Sequence, residues 1–238
     1  MFLPISSNRQ EITKLNVKIN NCEKYCITND NFGNKKLYGK IEQPHNCFCV
    51  TVDGIAKTGI DIYEEYTCDP YHYSLLKCQT ELTTPHKMLI EYHKNLELDT
   101  LGGPYDKALH IMHTLYYTFR YKKGATSIHA TAEEALQLGE GVCQDYAHIM
   151  ISLLRSENIP ARYVVGMMQG EGASHAWVEA LCNGYWYGFD PTNNKLVNDE
   201  YIKVSYGRDS SDCSVIRGTF LGLVTQQQSE AILVDNYD

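Results

Sequence analysis

The chain has 238 residues, 43% of them hydrophobic and 21% charged, which suits one large or two small globular domains and excludes a disordered chain. Its formal net charge of -8 excludes nucleic acid and anionic membrane as general partners. No apolar run of about 18 residues is present to cross a membrane, and Met1 to Gln10 lacks the basic patch and apolar run of an export signal, so a cytoplasmic location is expected.

Residues 1–84 read as a small N-terminal β domain. Glu11 to Ile19 alternates, with Ile12, Leu15, Val17 and Ile19 apolar, and predicts a strand. Asn29 to Asn34 is a turn cluster. Lys36 to Gln43 and Cys47 to Val52 predict further strands on either side of Pro44-His45-Asn46, and Gly54 to Tyr66 another, so this part is expected to form a small sandwich or sheet. Nine cysteines, at 22, 26, 47, 49, 68, 78, 143, 182 and 213, read as reduced thiols, most of them packed as small apolar side chains. Neither Cys22-x3-Cys26 nor Cys47-x-Cys49 has the C-x2-C pairing of a structural zinc site, so no metal or other cofactor is expected.

From about Thr84-Pro85 the pattern becomes helical, and residues 85–238 read as an α+β core. Met88, Leu89 and Tyr92 share one helical face, and Leu96 to Gly103 is a loop. Pro104 suits a helix start, after which Ala108, Ile111, Met112, Leu115, Tyr116 and Phe119 recur at helical spacing. Thr131-Ala132-Glu133-Glu134 is a capping box for a short helix ending near Gly139. Cys143 opens a longer helix whose apolar residues cover a broad surface, as in a buried helix. Strands are then expected over 161–168, 175–182 and 185–189, with Asn183-Gly184 as the hairpin turn between the last two, and edge strands near Lys203 to Tyr206 and Ala231 to Val234.

Three residues of this half can act together. Cys143, His175 and Asp190 follow one another with 31 and then 14 residues between them, in the order of a thiol nucleophile, its base and the group that orients the base. Taken singly they are ordinary: a buried thiol, a satisfied histidine, a turn aspartate before proline. Their placement is what points to chemistry. A catalytic thiol needs a depressed pKa, and the N-terminus of a helix supplies it through free N–H groups and the dipole. The N–H of Cys143 is also placed to meet a developing oxyanion. A two-residue hairpin at 183–184 pairs positions whose numbers sum to 367, setting Asp190 opposite position 177, from where a bulge or one-pair slip would bring it beside His175, an arrangement compatible with a His–Asp hydrogen bond. His175, Trp177 and Glu179 share one strand face, expected to look into a cleft, while Ala176, Val178 and Ala180 pack on the helix.

These segments resemble the transglutaminase-like superfamily, which is papain-like in architecture. Gly141-Val142-Cys143-Gln144-Asp145-Tyr146-Ala147-His148 is similar to that family's nucleophile segment, His175-Ala176-Trp177-Val178-Glu179 to its histidine strand and Phe189-Asp190-Pro191-Thr192 to its aspartate turn. Ile159 to Gly166, Phe119-Arg120-Tyr121, Gly124 to Ser127, Tyr206 to Asp209 and Arg217-Gly218 also fit, the last two resembling a block of the bacterial members. Asp30 to His45 resembles the β domain that precedes the core in bacterial relatives, shortened because the chain begins partway into it. The resemblance implies Cys143 as nucleophile, His175 as base and acid, and Asp190 as its orienter. Gln144, Tyr121 and His129 are candidates for the second oxyanion donor, and Trp177 either lines the substrate tunnel or is a core aromatic. Asp145 is expected to point inward at a donor, with Arg162 and Arg208 as candidates, and His148 to make a structural hydrogen bond. The implied reaction is thiol attack on the amide bond of a peptide or protein, most simply ending in hydrolysis. A transglutaminase with an amine acceptor and a non-catalytic binding scaffold are the alternatives. No calcium-loop run and no zinc pair of the deglycosylating branch occurs.

Overall fold

The structure, a computed structural model, describes residues 1–22, 24–59, 63–66, 69–219, 222, 225 and 227–236. In the first part, β1 (Phe2–Leu3), β2 (Gln10–Ile19), β3 (Tyr25–Asn29), β4 (Lys35–Gly39) and β5 (Val50–Thr58) do not close into one sandwich or sheet. β1, β4 and β3 form a three-stranded sheet, while β2 and β5 form a separate antiparallel ribbon whose residues are half-buried at best beyond Gln10. The strand expected over 54–66 is realised as the end of β5 and the short β6 (Glu64–Glu65), and residues 60–62 between them lie outside the described residues, as does Cys68. Helix α1 (Pro70–Leu75), which no apolar period announces, is held by Asp69 as N-cap, its carboxylate accepting from Tyr71 N and His72 N.

The helical layer follows in order as α2 (Lys87–Asn95), α3 (Pro104–Thr118), the two-residue strand β7 (Arg120–Tyr121), α4 (Ala132–Leu138), β8 (Glu140–Gly141) and α5 (Cys143–Ser156). Both halves of the Thr131 capping box are formed, and Gly139 ends α4 in a left-handed conformation at φ 71°. Every residue of α5 from Asp145 to Arg155 is buried. Its fully buried Ile149, Met150, Ile151, Leu153 and Leu154 contribute roughly 1.5–3 kcal/mol each by leaving water. The helix stops where Asn158 turns left-handed at φ 58° ahead of Pro160.

The sheet behind this layer contains β9 (Ala161–Met168), then, past the short β10 (Gly170–Gly172), β11 (His175–Cys182), β12 (Tyr185–Asp190), β13 (Lys195–Leu196) and β14 (Tyr201–Gly207), in the antiparallel order β13-β12-β11-β9-β14 with β6 beside β12. After α6 (Ser210–Cys213), β15 (Ile232–Val234) pairs with β10. Asn183 and Gly184 both take positive φ, as a type I′ hairpin requires. Val178 faces Phe189 and Cys182 faces Tyr185, the register expected for that turn. Ala176, Val178 and Ala180 lie in the main core with α3, α4 and α5, where their small size admits the helices closely.

The opposite face of β11 is filled rather than open, against the expectation of a cleft there. Trp177 packs with Val164, Val197 and Tyr201. A Cβ on Gly166 would meet the Trp177 ring at 2.8 Å, so only glycine fits. Glu179, 1% exposed, sits in a buried charge cluster with Arg162, Lys203 and Glu64. Lys203 Nζ lies 3.0 Å from both carboxylates, and Arg162 pairs with each. The cluster ties β6, β9, β11 and β14 together. Among the described residues no helix is long and apolar enough to cross a membrane. Because a buried charge that loses its partner costs several kcal/mol, Glu179→Gln is expected to lower the unfolding free energy in urea by roughly 3 kcal/mol, and a loss under about 1 kcal/mol contradicts this role for the cluster.

Candidate active site

Cys143 is the first residue of α5, where the opening N–H groups of a helix have no carbonyl partner within the helix. The approach to it is pinned rather than flexible. β8 pairs in parallel with β7, setting Arg120 beside Glu140 and Tyr121 beside Gly141, and Lys122 N donates to Gly141 O at 2.8 Å. Glu140 anchors this edge through Lys122 at 2.6 Å and through Arg120.

Asp145 locks the same turn. Its Oδ2 accepts from Val142 N at 2.7 Å and from Thr126 Oγ1 at 2.7 Å. The expected partners Arg162 and Arg208 are engaged elsewhere, the first with Glu64 and Glu179 and the second with Asp212 at 2.8 Å. A backbone N–H beside the carboxylate is nearer than either arginine, so the local cap takes it. Burial raises the Asp145 pKa against these hydrogen bonds. A Cβ on Gly141 would come within 2.8 Å of the same carboxylate carbon, so this glycine is fixed by close approach.

The imidazole of His175 meets both other groups. Its Nε2 lies 2.8 Å from Asp190 Oδ2, and Cys143 is near enough to act on the charge of the ring. No bulge or slip was needed. Asp190 follows Phe189 in the unshifted register, opposite Trp177, and His175 is the diagonal neighbour two residues along the same face, within reach of a long side chain. Burial works against the imidazolium, but the hydrogen bond and charge of Asp190, together with Cys143, outweigh it and push the His175 pKa up to about 9.

Asp190 is fully buried and heavily hydrogen-bonded. Oδ1 accepts from Thr192 N at 3.0 Å and Asn193 N at 3.2 Å, and Oδ2 accepts from His175, from Asn193 Nδ2 at 2.7 Å and from Tyr201 Oη at 2.8 Å. Burial would raise its pKa, but these donors, His175 first, hold it below the ordinary carboxylate value. The sequence reading did not find Asn193 or Tyr201. The Asx-turn signal of Asp190-Pro191-Thr192-Asn193 announces the first, whereas nothing local marks a tyrosine on another strand.

The remaining candidates separate. Tyr121 is 47% exposed on β7, and burial followed by the charge of Cys143 raises its phenol pKa, so the hydroxyl lies within electrostatic reach of the sulfur. Gln144 Nε2 is committed to Ile128 O at 3.1 Å, and His129 is exposed with its backbone N–H on Ser127 Oγ. Trp177 is 1% exposed, with its ring stacked beside His175 at 6.4 Å and edge-on to Tyr201 at 5.4 Å, so it is a core aromatic. His148 is buried and takes the expected structural hydrogen bond, accepting from Ser210 N at 3.2 Å. Of the described cysteines only Cys182 and Cys213 are buried, so the thiols are less packed than expected, and Cys143 is half-buried. Among the described residues no group of three or more His, Cys, Asp or Glu side chains is gathered to hold a metal ion.

Comparison with known proteins bears on the family and the fold. The model of the transglutaminase-like superfamily matches residues 95–191, which include all three residues. An uncharacterized protein of Mycobacterium leprae is 39% identical over 112 residues, 43% of this chain and 40% of its own length, so the match spans less than half of that relative. An uncharacterized protein of Mycobacterium tuberculosis is 29% identical over 220 residues, covering 79% of this chain and 70% of its own. The crystal structure of "a Putative Cysteine Protease from Cytophaga hutchinsonii" superposes with a TM-score of 0.72 at 22% identity, over 89% of this chain and 76% of that one, a likeness of fold.

The raised imidazole pKa carries a stability consequence. A histidine whose pKa is higher folded than unfolded stabilises the fold fully below the unfolded value of about 6.5, and that share is lost as pH rises through the folded value, here about 9. The destabilisation caused by His175→Ala, measured by urea unfolding, is therefore expected to be larger at pH 6 than at pH 10. An equal loss at both contradicts the charged pair.

Proposed function

We propose, for a chain whose residues 95–191 belong to the transglutaminase-like superfamily, a thiol-dependent hydrolase of amide bonds in peptides or proteins. The observation that carries this reading is the His175 imidazole, held at 2.8 Å by a fully buried carboxylate and near enough to Cys143 for the two to act on each other's charge. Near neutral pH that imidazole is protonated, so positive charge faces the sulfur, which also sits at the positive end of α5.

The reaction follows from the arrangement. The sulfur attacks the amide carbon as a thiolate, and the carbonyl oxygen takes the negative charge. The N–H of Cys143 is the first donor to that oxyanion, and the Tyr121 hydroxyl is the candidate with the best claim to be the second, since Gln144 donates elsewhere. Imidazolium gives its proton to the leaving amine as the C–N bond breaks, which leaves a thioester and a neutral imidazole. That imidazole takes a proton from water as its oxygen attacks the thioester, and collapse of the second tetrahedral intermediate releases a carboxylic acid and restores the ion pair. Asp190 keeps the ring in one tautomer throughout. The neighbour's description as a cysteine protease supports a polypeptide substrate.

Cys143→Ala is expected to abolish amide turnover while leaving the melting temperature within a few degrees. Retained turnover rejects the assignment. Asp190→Asn is expected to leave a weaker enzyme, and a decrease smaller than about threefold counts against its orienting role. A glutamine peptide offered with a labelled primary amine decides the fate of the thioester: ammonia release without label supports hydrolysis, and label incorporation replaces that reading with amine transfer.

A further inference from the structure

We propose that Tyr201 is a positioning residue for the triad, anchoring the Asp190 turn to the opposite edge of the sheet so that Oδ2 stays aimed at His175. The inference rests on the functional reading above and extends it to a residue outside the triad.

The argument is topological. Three of the five hydrogen bonds to Asp190 come from Thr192 and Asn193, within the same turn, and would move with it. They shape the turn but do not fix it relative to the imidazole. Among the described residues only His175 and Tyr201 reach this carboxylate from other strands. Tyr201 opens β14, which in the sheet order is separated from β12 by β11 and β9. Its ring crosses that face edge-on to Trp177 at 5.4 Å, and its hydroxyl meets Asp190 Oδ2 at 2.8 Å. Trp177 in turn stacks beside His175, so one aromatic wall backs both members of the His–Asp pair. Tyr201 is 4% exposed, and burial together with the Asp190 charge raises its pKa far above the ordinary phenol value, so the hydroxyl stays protonated and acts as a donor to the carboxylate. The groups facing this carboxylate are His175 from β11, Tyr201 from β14, Asn193 and Thr192 from its own turn, and, beyond the imidazole, Cys143 from α5; Glu200 adds its charge beside Tyr201.

Tyr201→Phe tests this, because the ring and its contact with Trp177 remain while one donor is lost. In the full chain the variant is expected to lower kcat about tenfold at unchanged KM, the rate equivalent of one hydrogen bond to a charged group. The alkaline limb of the pH–rate profile is expected to move down by about one unit, because a loosened carboxylate holds the imidazolium less well. NMR titration of the His175 imidazole in both proteins should show the same downward shift. An unchanged kcat and imidazole pKa with a lowered melting temperature would overturn the proposal and leave Tyr201 as a core residue, as would failure of the variant to fold. If neither protein turns over any amide substrate, the functional reading fails while the imidazole titration still decides what Tyr201 does.

Discussion

A carboxylate with no solvent exposure is tolerated in a protein only if its charge is met by hydrogen bonds and an opposite charge, and Asp190 meets that demand at every lone pair it has to offer. Its fixed negative charge then governs its neighbour. Burial alone would disfavour the charged form of His175, yet the close carboxylate, which cannot turn away, and Cys143 push its pKa up to about 9. A positive ring beside a sulfur at the head of a buried helix is the chemical content of the site, and it derives from the aspartate.

The rest of the fold serves to bring those groups from three elements to one point. α5 can deliver Cys143 to the sheet because the strand beneath it presents Ala176, Val178 and Ala180. The type I′ turn at Asn183-Gly184 sets Asp190 diagonal to His175. On the far side, where an open cleft was expected, the sheet is instead fastened by Trp177, Tyr201 and the cluster of Glu179, Arg162, Lys203 and Glu64. On the side of α5 and β7, by contrast, Tyr121 is half exposed beside the thiol's own turn.

How much of this the sequence disclosed depends on how local each signal is. The Thr131 capping box, the Pro104 helix start and the Asn183-Gly184 hairpin are written in a few adjacent residues, and each appears as read, down to the hairpin register. The α+β core and the segments of Cys143, His175 and Asp190 were legible for the same reason. Strand β3 and helix α1 went unread because neither carries an apolar period: β3 is exposed throughout, and α1 is set by its Asp69 cap. Asp145 does point inward at a donor, but the backbone of Val142, three residues away, takes it before the candidate arginines. Tyr201 and the four-charge cluster depend on strands meeting across the sheet, and no spacing along the chain encodes such a meeting.

The central claim is that in the resting site Cys143 faces an imidazole charged near neutral pH, and alkylation tests that directly. Exposed Cys26, Cys47, Cys49 and Cys78 serve as internal references in the same molecule. With iodoacetamide at pH 6, followed by peptide mass spectrometry, Cys143 should react at least about tenfold faster than those four thiols, and His175→Ala should erase the advantage. If Cys143 is labelled no faster than its exposed counterparts, the sulfur and the imidazole do not act as a pair.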